Sequence, residues 1–177
     1  MELRKHLLLR YFDLNKYPNV SLSEDSATFP LFNLSGRMVG YQHYAPNNPK
    51  VHLDDPKLAR YYTWVTKPCA SKTAELAVWG LETYDPYQPL FLTEGVFDAC
   101  RLHWNGLNAV ACLGCNPVHL RSWLSALPNH KVACVQGDKA GLMLADYGDS
   151  CVYLPEGKDV GDLTEEEFGE YFARYVR

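Results

Sequence analysis

The chain has 177 residues, 47% of them hydrophobic and 21% charged, with a net charge of −4. That length suits one domain, or a core with a small extra lobe, and the ordinary composition excludes a disordered or fibrous protein. No apolar run approaches a membrane span, and Met1–Arg10 is too short and too polar for a signal peptide, so a cytoplasmic protein with no membrane partner is expected.

Taken in chain order, Glu2–Leu14 places Leu3, Leu7 and Leu14 on one helical face before Tyr17-Pro18-Asn19 breaks the pattern. Phe29–Leu34, a Ser35-Gly36 turn and Met38–Tyr44 read as a hairpin, with a further strand at Tyr61–Val65 and a helix over Thr73–Leu81. The Pro-rich stretch Tyr84–Pro89 predicts a boundary between an N-terminal α+β lobe, residues 1–86, and a second domain, residues 87–177. Beyond it, strands at 89–92, 108–112, 131–135 and 151–154 alternate with helices at 96–105, 117–127, 139–147 and 164–175. That alternation predicts an α/β fold with a parallel sheet built from βαβ units. Thr164-Glu165-Glu166-Glu167 starts the last helix as a capping box, and Trp104, Leu120 and Trp123 are expected to pack helices.

Six cysteines are present, of which Cys112, Cys134 and Cys151 lie in strand-like runs where a thiol acts as a small buried hydrophobe. Cys112-Leu113-Gly114-Cys115 has the spacing of half a zinc site, but no second Cys/His pair matches it, so it reads as a strand end entering a glycine turn. Charge is unevenly spread: residues 1–80 hold ten Lys/Arg against seven Asp/Glu, and residues 81–177 hold seven against fourteen. An acidic half suited to cations thus adjoins a mildly basic one.

Three of the strands end at a carboxylate. Pro89–Leu92 leads to Glu94, Lys131–Val135 to Asp138, and Cys151–Leu154 to Asp159. In an open parallel sheet, side chains just past the carboxyl ends of the strands converge on one crevice. Glu94, Asp98, Asp138 and Asp159 are therefore expected in one acidic, oxygen-rich pocket of the kind Mg²⁺ prefers.

Thr93-Glu94-Gly95-Val96-Phe97-Asp98-Ala99, Gln136-Gly137-Asp138-Lys139-Ala140-Gly141 and Glu156-Gly157-Lys158-Asp159-Val160-Gly161-Asp162 resemble, in order and spacing, the acidic motifs of the Toprim domain. The likeness spans roughly Gln88 to Leu163, and the Ala-Gly after the second motif favours the DnaG-type DNA primases of phages and bacteria. Gly36–Tyr44 resembles the strand pair that precedes Toprim in those primases. Many of them carry a separate zinc module, which this sequence lacks, so the resemblance covers a catalytic core only.

The resemblance implies metal-dependent, template-directed nucleotidyl transfer that makes short RNA primers for DNA replication. It implies Mg²⁺ or Mn²⁺, a single-stranded DNA template, nucleoside triphosphates and a replicative helicase as partner, in the host cytoplasm if the protein is phage-encoded. Glu94 would accept the proton and, with Asp138 and Asp159, hold metal, while Asp98 supports them. Arg37, Lys67, Lys72 and Lys139 are the candidate nucleotide- or nucleic-acid-binding residues. Two departures bear on this: Gln136 stands where the family has the first Asp of Asp-x-Asp, and Gly161 stands where primases often carry another Asp. Loss of a negative charge weakens Mg²⁺ binding. A catalytically impaired Toprim accessory protein and a Mg²⁺-dependent Toprim nuclease are therefore the alternatives.

Overall fold

Two sheets of opposite character organise the chain, each in its own compact unit, Met1–Trp79 and Gly80–Arg177. The computed structural model describes residues 2–33, 35–67, 75–139 and 141–176. The first unit opens with helix α1, Leu3–Leu9, which buries Leu3 and Leu7. It ends well short of Leu14 because Tyr11 takes a left-handed backbone with φ 61°. That turn sends Phe12 into an aromatic cluster, 5.0 Å from Tyr17, 5.0 Å from Phe29 and 6.0 Å from Trp79.

Strands β1 (Ser21–Leu22), β2 (Ala27–Phe32), β3 (Met38–Tyr44) and β4 (Tyr61–Val65) form an antiparallel sheet in that order. The β2–β3 hairpin closes as expected. The Asn33 side chain accepts the backbone N–H groups of Ser35 and Arg37, and Gly36 supplies the positive φ, 73°. The helix expected over Thr73–Leu81 does not form over its described part. Ala77, Val78 and Trp79 are buried in succession, which one face of a helix cannot achieve, and Val78 bridges Phe32 instead.

In the second unit, the Pro-rich stretch belongs to the fold rather than to a linker. Asn108 and Asn129 donate side-chain N–H groups to the Asp85 carbonyl at 2.8 Å each, and Asn129 also donates to the Gln88 carbonyl at 2.7 Å. The division between units accordingly falls ahead of it. Strands β5 (Leu90–Thr93), β6 (Ala109–Ala111), β7 (Lys131–Val135) and β8 (Ser150–Tyr153) pair in parallel in the order β6-β5-β7-β8. Every residue of β5, β6 and β7 is buried, as a sheet covered on both faces requires.

Helix α2 (Val96–Trp104) follows β5, and Gly106, with φ 75°, lies just past its end. A short 3₁₀ turn leads into α3 (Arg121–Ala126), and α4 (Glu165–Phe172) closes the described chain with the Thr164–Glu167 capping box. The buried Arg101 guanidinium ties α2 to α4, 2.9 Å from the Glu165 carboxylate and 5.0 Å above the Phe168 ring. The segment expected as a helix at 139–147 is a 3₁₀ coil over Gly141–Tyr147. Leu120 and Trp123 are buried as expected, whereas Trp104 is 54% exposed. Among the described residues, no helix is long and apolar enough to cross a membrane.

Candidate active site

The connection from β5 passes through α2 to β6 on one side, and the chain then returns to place β7 on the other. The carboxyl ends of β5 and β7, where this reversal falls, are the usual ligand position in such sheets. Glu94 follows β5 directly and is half-buried there. Gly95 begins α2, and a side chain on it would meet the Asp98 carboxylate at 3.1 Å. Glycine thus lets that carboxylate lie against the backbone.

Asp98 is the buried tie of the site, only 6% exposed. Its Oδ2 accepts the Gly95 N–H at 3.3 Å, which caps the helix, and its Oδ1 accepts the Gly161 N–H at 3.1 Å. One carboxylate therefore holds the first and third motifs together. The second motif joins by backbone packing. Gly137 lies so close to Glu156 that a Cβ would meet its Cα at 3.2 Å. Gly141 presses on Gln136, whose carbonyl oxygen would stand 2.6 Å from an added Cβ. Asp138, exposed at the rim, accepts the Gly141 N–H at 2.6 Å. Asp159 is half-buried and precedes the 3₁₀ turn Val160–Asp162. Lys158 of the same motif is ion-paired with Glu167 on α4.

Topology thus puts the expected acids at one sheet edge, with Asp98 beneath as a structural link. Among the described residues, no three His, Cys, Asp or Glu side chains are grouped to hold a metal ion. Lys139 is exposed beside Asp138. In the other unit, Arg37 is ion-paired with Glu75 at 2.5 Å, and Lys67 is exposed past the end of β4. Lys72 lies outside the described residues.

Sequence reasoning assigned no role to Thr93. Thr93, buried at the last position of β5, donates its hydroxyl to the Gly95 and Val110 carbonyls at 3.1 and 3.3 Å and so fixes the start of the Glu94 turn. Its only signal was a hydroxyl at a strand end. Cys134, expected as a small buried hydrophobe, is buried. Burial first, then the charge of Asp98 and the neighbouring Cys151 and Cys112, raises its thiol well above the ordinary range. Burial pushes Cys112 up to about 12. Both stay protonated at neutral pH, which fits buried hydrophobes rather than metal thiolates.

No protein-family model matches the chain. No curated protein matches it either. Solved structures do. The E. coli primase catalytic core aligns with TM-score 0.61 at 22% identity, covering 92% of this chain and 58% of that one. The primase fragment of the bacteriophage T7 primase-helicase aligns with TM-score 0.64 at 12% identity, covering 93% and 69%. A chain from T7 lagging-strand DNA polymerase interacting with primase domains of two gp4 subunits bound to an RNA/DNA hybrid and dTTP aligns with TM-score 0.62 at 11% identity, covering 92% and 84%. The chain spans less than two thirds of the bacterial primase cores, 57–62% of their length in three of them. With its parallel sheet in the order β6-β5-β7-β8, its acid-bearing strand ends and an antiparallel sheet ahead of them, this chain has the Toprim-type fold of DnaG-type primase catalytic cores.

Proposed function

We propose that the protein is a primase-type nucleotidyltransferase that makes short RNA primers from nucleoside triphosphates on single-stranded DNA. The observation that carries this reading is the Asp98 link, which holds the first and third acidic motifs together at the strand ends. T7 primase domains of this fold are bound to an RNA/DNA hybrid, which is the kind of duplex such a reaction would leave. A phage origin, a helicase partner and residence in the host cytoplasm belong to the same reading.

The donor set suits a particular kind of metal site. Mg²⁺ is commonly held by one or two carboxylates plus substrate phosphates rather than by an all-protein cage. Glu94, Asp138 and Asp159, each past the end of a strand, suit that demand, and among the described residues they form no cage of their own. Bound Mg²⁺ or Mn²⁺ would neutralise triphosphate charge. Glu94 would take the proton from the attacking 3′-hydroxyl, and Lys139, exposed beside Asp138, would contact phosphate. Asp98 positions Glu94 through the helix start instead of touching substrate. Arg37 and Lys67 would serve the template, although Arg37 must first give up Glu75. Lys72 is proposed with them on sequence grounds alone.

One observation favours the accessory-protein reading: Gln136, a neutral amide, stands next to Gly137 where a further charge would strengthen the site. The deciding experiment is template-directed oligoribonucleotide synthesis with Mg²⁺ and with Mn²⁺. Wild type should extend and Glu94→Gln should not, while both unfold at the same temperature. Full synthesis by Glu94→Gln would remove the catalytic assignment. Inactivity of wild type in both metals, with DNA binding retained, would favour the accessory role. Calorimetry should show tighter Mg²⁺ binding by Gln136→Asp, and no gain would mean that Gln136 lies outside the ligand set.

A further inference from the structure

In the antiparallel sheet of the first unit, the end of β3 beyond Val39 and the edge strand β4 present a partly exposed aromatic surface. Side chains alternate along a strand, and residues paired across strands share a face. In β3, Gly40, Gln42 and Tyr44 are buried, whereas Tyr41 and His43 point the other way and are only half-buried. Their partners across β4 are Trp64 and Tyr62. This surface therefore carries four rings in a two-by-two array. Tyr41 and Trp64 stack at 5.7 Å and 25°, and Tyr62 tilts against Tyr41 at 6.3 Å. Trp64 is 45% exposed.

We propose that this array, Tyr41, His43, Tyr62 and Trp64, is a stacking platform for the unpaired bases of a single-stranded nucleic acid. Base–aromatic stacking on an open sheet, flanked by cations for the backbone, is a recurrent solution to single-strand binding. The surroundings have the charge such a strand needs. Residues 27–67 hold five Lys/Arg and only two Asp/Glu. One of those acids, Asp55, is engaged in accepting the Lys57 backbone N–H at 3.0 Å. Arg60 and Lys67 flank β4 on either side. Phenol and imidazole groups, in place of aliphatic side chains, suit a flat amphipathic ligand better than a lipid or an apolar helix.

The platform is also rigidly set. Gly40 lies so close to the Trp64 carbonyl that a Cβ there would stand 2.2 Å from it, so β3 and β4 meet at the nearest approach their backbones allow. His43 is held by Thr28 across the other seam at 3.2 Å. This inference deepens the proposed function, because the strand it takes is of the same class as the template.

The test is fluorescence anisotropy of the full chain with labelled oligo(dT) and with an abasic oligomer of equal length. Trp64→Ala and Tyr41→Ala should each weaken oligo(dT) binding by about tenfold, Trp64→Phe should keep most of it, and the abasic strand should bind weakly and ignore the substitutions. Oligo(dT) should quench wild-type tryptophan emission more than that of Trp64→Phe, which guards against a misfolded alanine variant. Undiminished binding by Trp64→Ala, or equal binding of the abasic strand, would overturn the platform. So would sedimentation showing a dimer that Trp64→Ala dissociates, since a second copy would then cover the face. Primer synthesis measured alongside separates the two proposals. Trp64-dependent binding without synthesis removes the catalytic reading alone, and synthesis and binding untouched by Trp64→Ala remove the platform alone.

Discussion

The two sheets spend their apolar residues differently. β5, β6 and β7 are buried at every position, so each side chain there serves packing and only the residues past the strand ends are free for chemistry. β3 alternates over Gly40–Tyr44, burying Gly40, Gln42 and Tyr44 while Tyr41 and His43 are half-buried, and the edge strand β4 has no buried residue at all. A fully covered sheet thus offers its edge, and a partly covered sheet offers its face. In the two proposals made above, the second unit would hold the reaction centre and the first would offer a surface for an extended ligand.

The comparison breaks most visibly under truncation. Phe91→Ala, which removes a 1% exposed ring set edge-on to Phe172 and Tyr175, should cost about 3–5 kcal/mol in chemical denaturation. Trp64→Ala on the aromatic surface should cost under about 1 kcal/mol. Equal costs would mean that this surface is packed after all. Next in size, Gly40→Ala should destabilise the chain by about 1–3 kcal/mol, and hydrogen exchange should show β4 losing protection while β5 and β7 keep theirs.

Asp98→Asn sharpens the picture of the strand-end edge. The variant keeps one acceptor oxygen but loses the charge that receives two backbone N–H groups, so a loss of about 1–2 kcal/mol is expected. Primer synthesis should fall less than with Glu94→Gln. The smallest effect is a pH dependence confined to the first unit. Burial, then the nearby Arg10 and the N-terminus, lowers the His6 pKa below its ordinary value, and its ring is hydrogen-bonded to the Tyr44 hydroxyl at 2.7 Å. The unfolded chain therefore binds the proton more readily. Stability from this pair should be intact above about 6.5 and decline as pH falls below it, and His6→Gln should flatten that slope.

Much of this architecture was legible because it is local. Alternation, Gly106 and the capping box at Thr164 are signals carried within a few residues, and they located β4, β5, α2, β7 and the start of α4. The positions of Glu94, Asp138 and Asp159 past strand ends were legible for the same reason, whereas the expected gathering of these acids into one metal-holding group is not seen among the described residues. What stayed hidden depends on distant partners. Nothing near Asp98 announces that it receives the N–H of Gly161, and nothing near Glu75 says that the following residues run extended beside Phe32. Gly141–Tyr147 has an apolar pattern compatible with a helix, but its glycine is pressed against Gln136 and the coil tightens to 3₁₀. Trp104, expected to pack helices, sits at the last position of α2 and is 54% exposed, because a residue at a helix end is covered from fewer sides than one in its middle.

The strand order also sets a schedule for synthesis. A hairpin such as β2–β3 closes in about 1–10 μs once its turn is free. β5 has no such neighbour. Its partners are β6 and β7, and β7 begins only at Lys131. At roughly 5–20 residues per second, the stretch from Glu94 to His130 leaves the ribosome over several seconds. Through that interval Leu90-Phe91-Leu92 has at most one strand to shelter it, and capture of nascent chains by a holdase should peak there and fall once β7 has emerged.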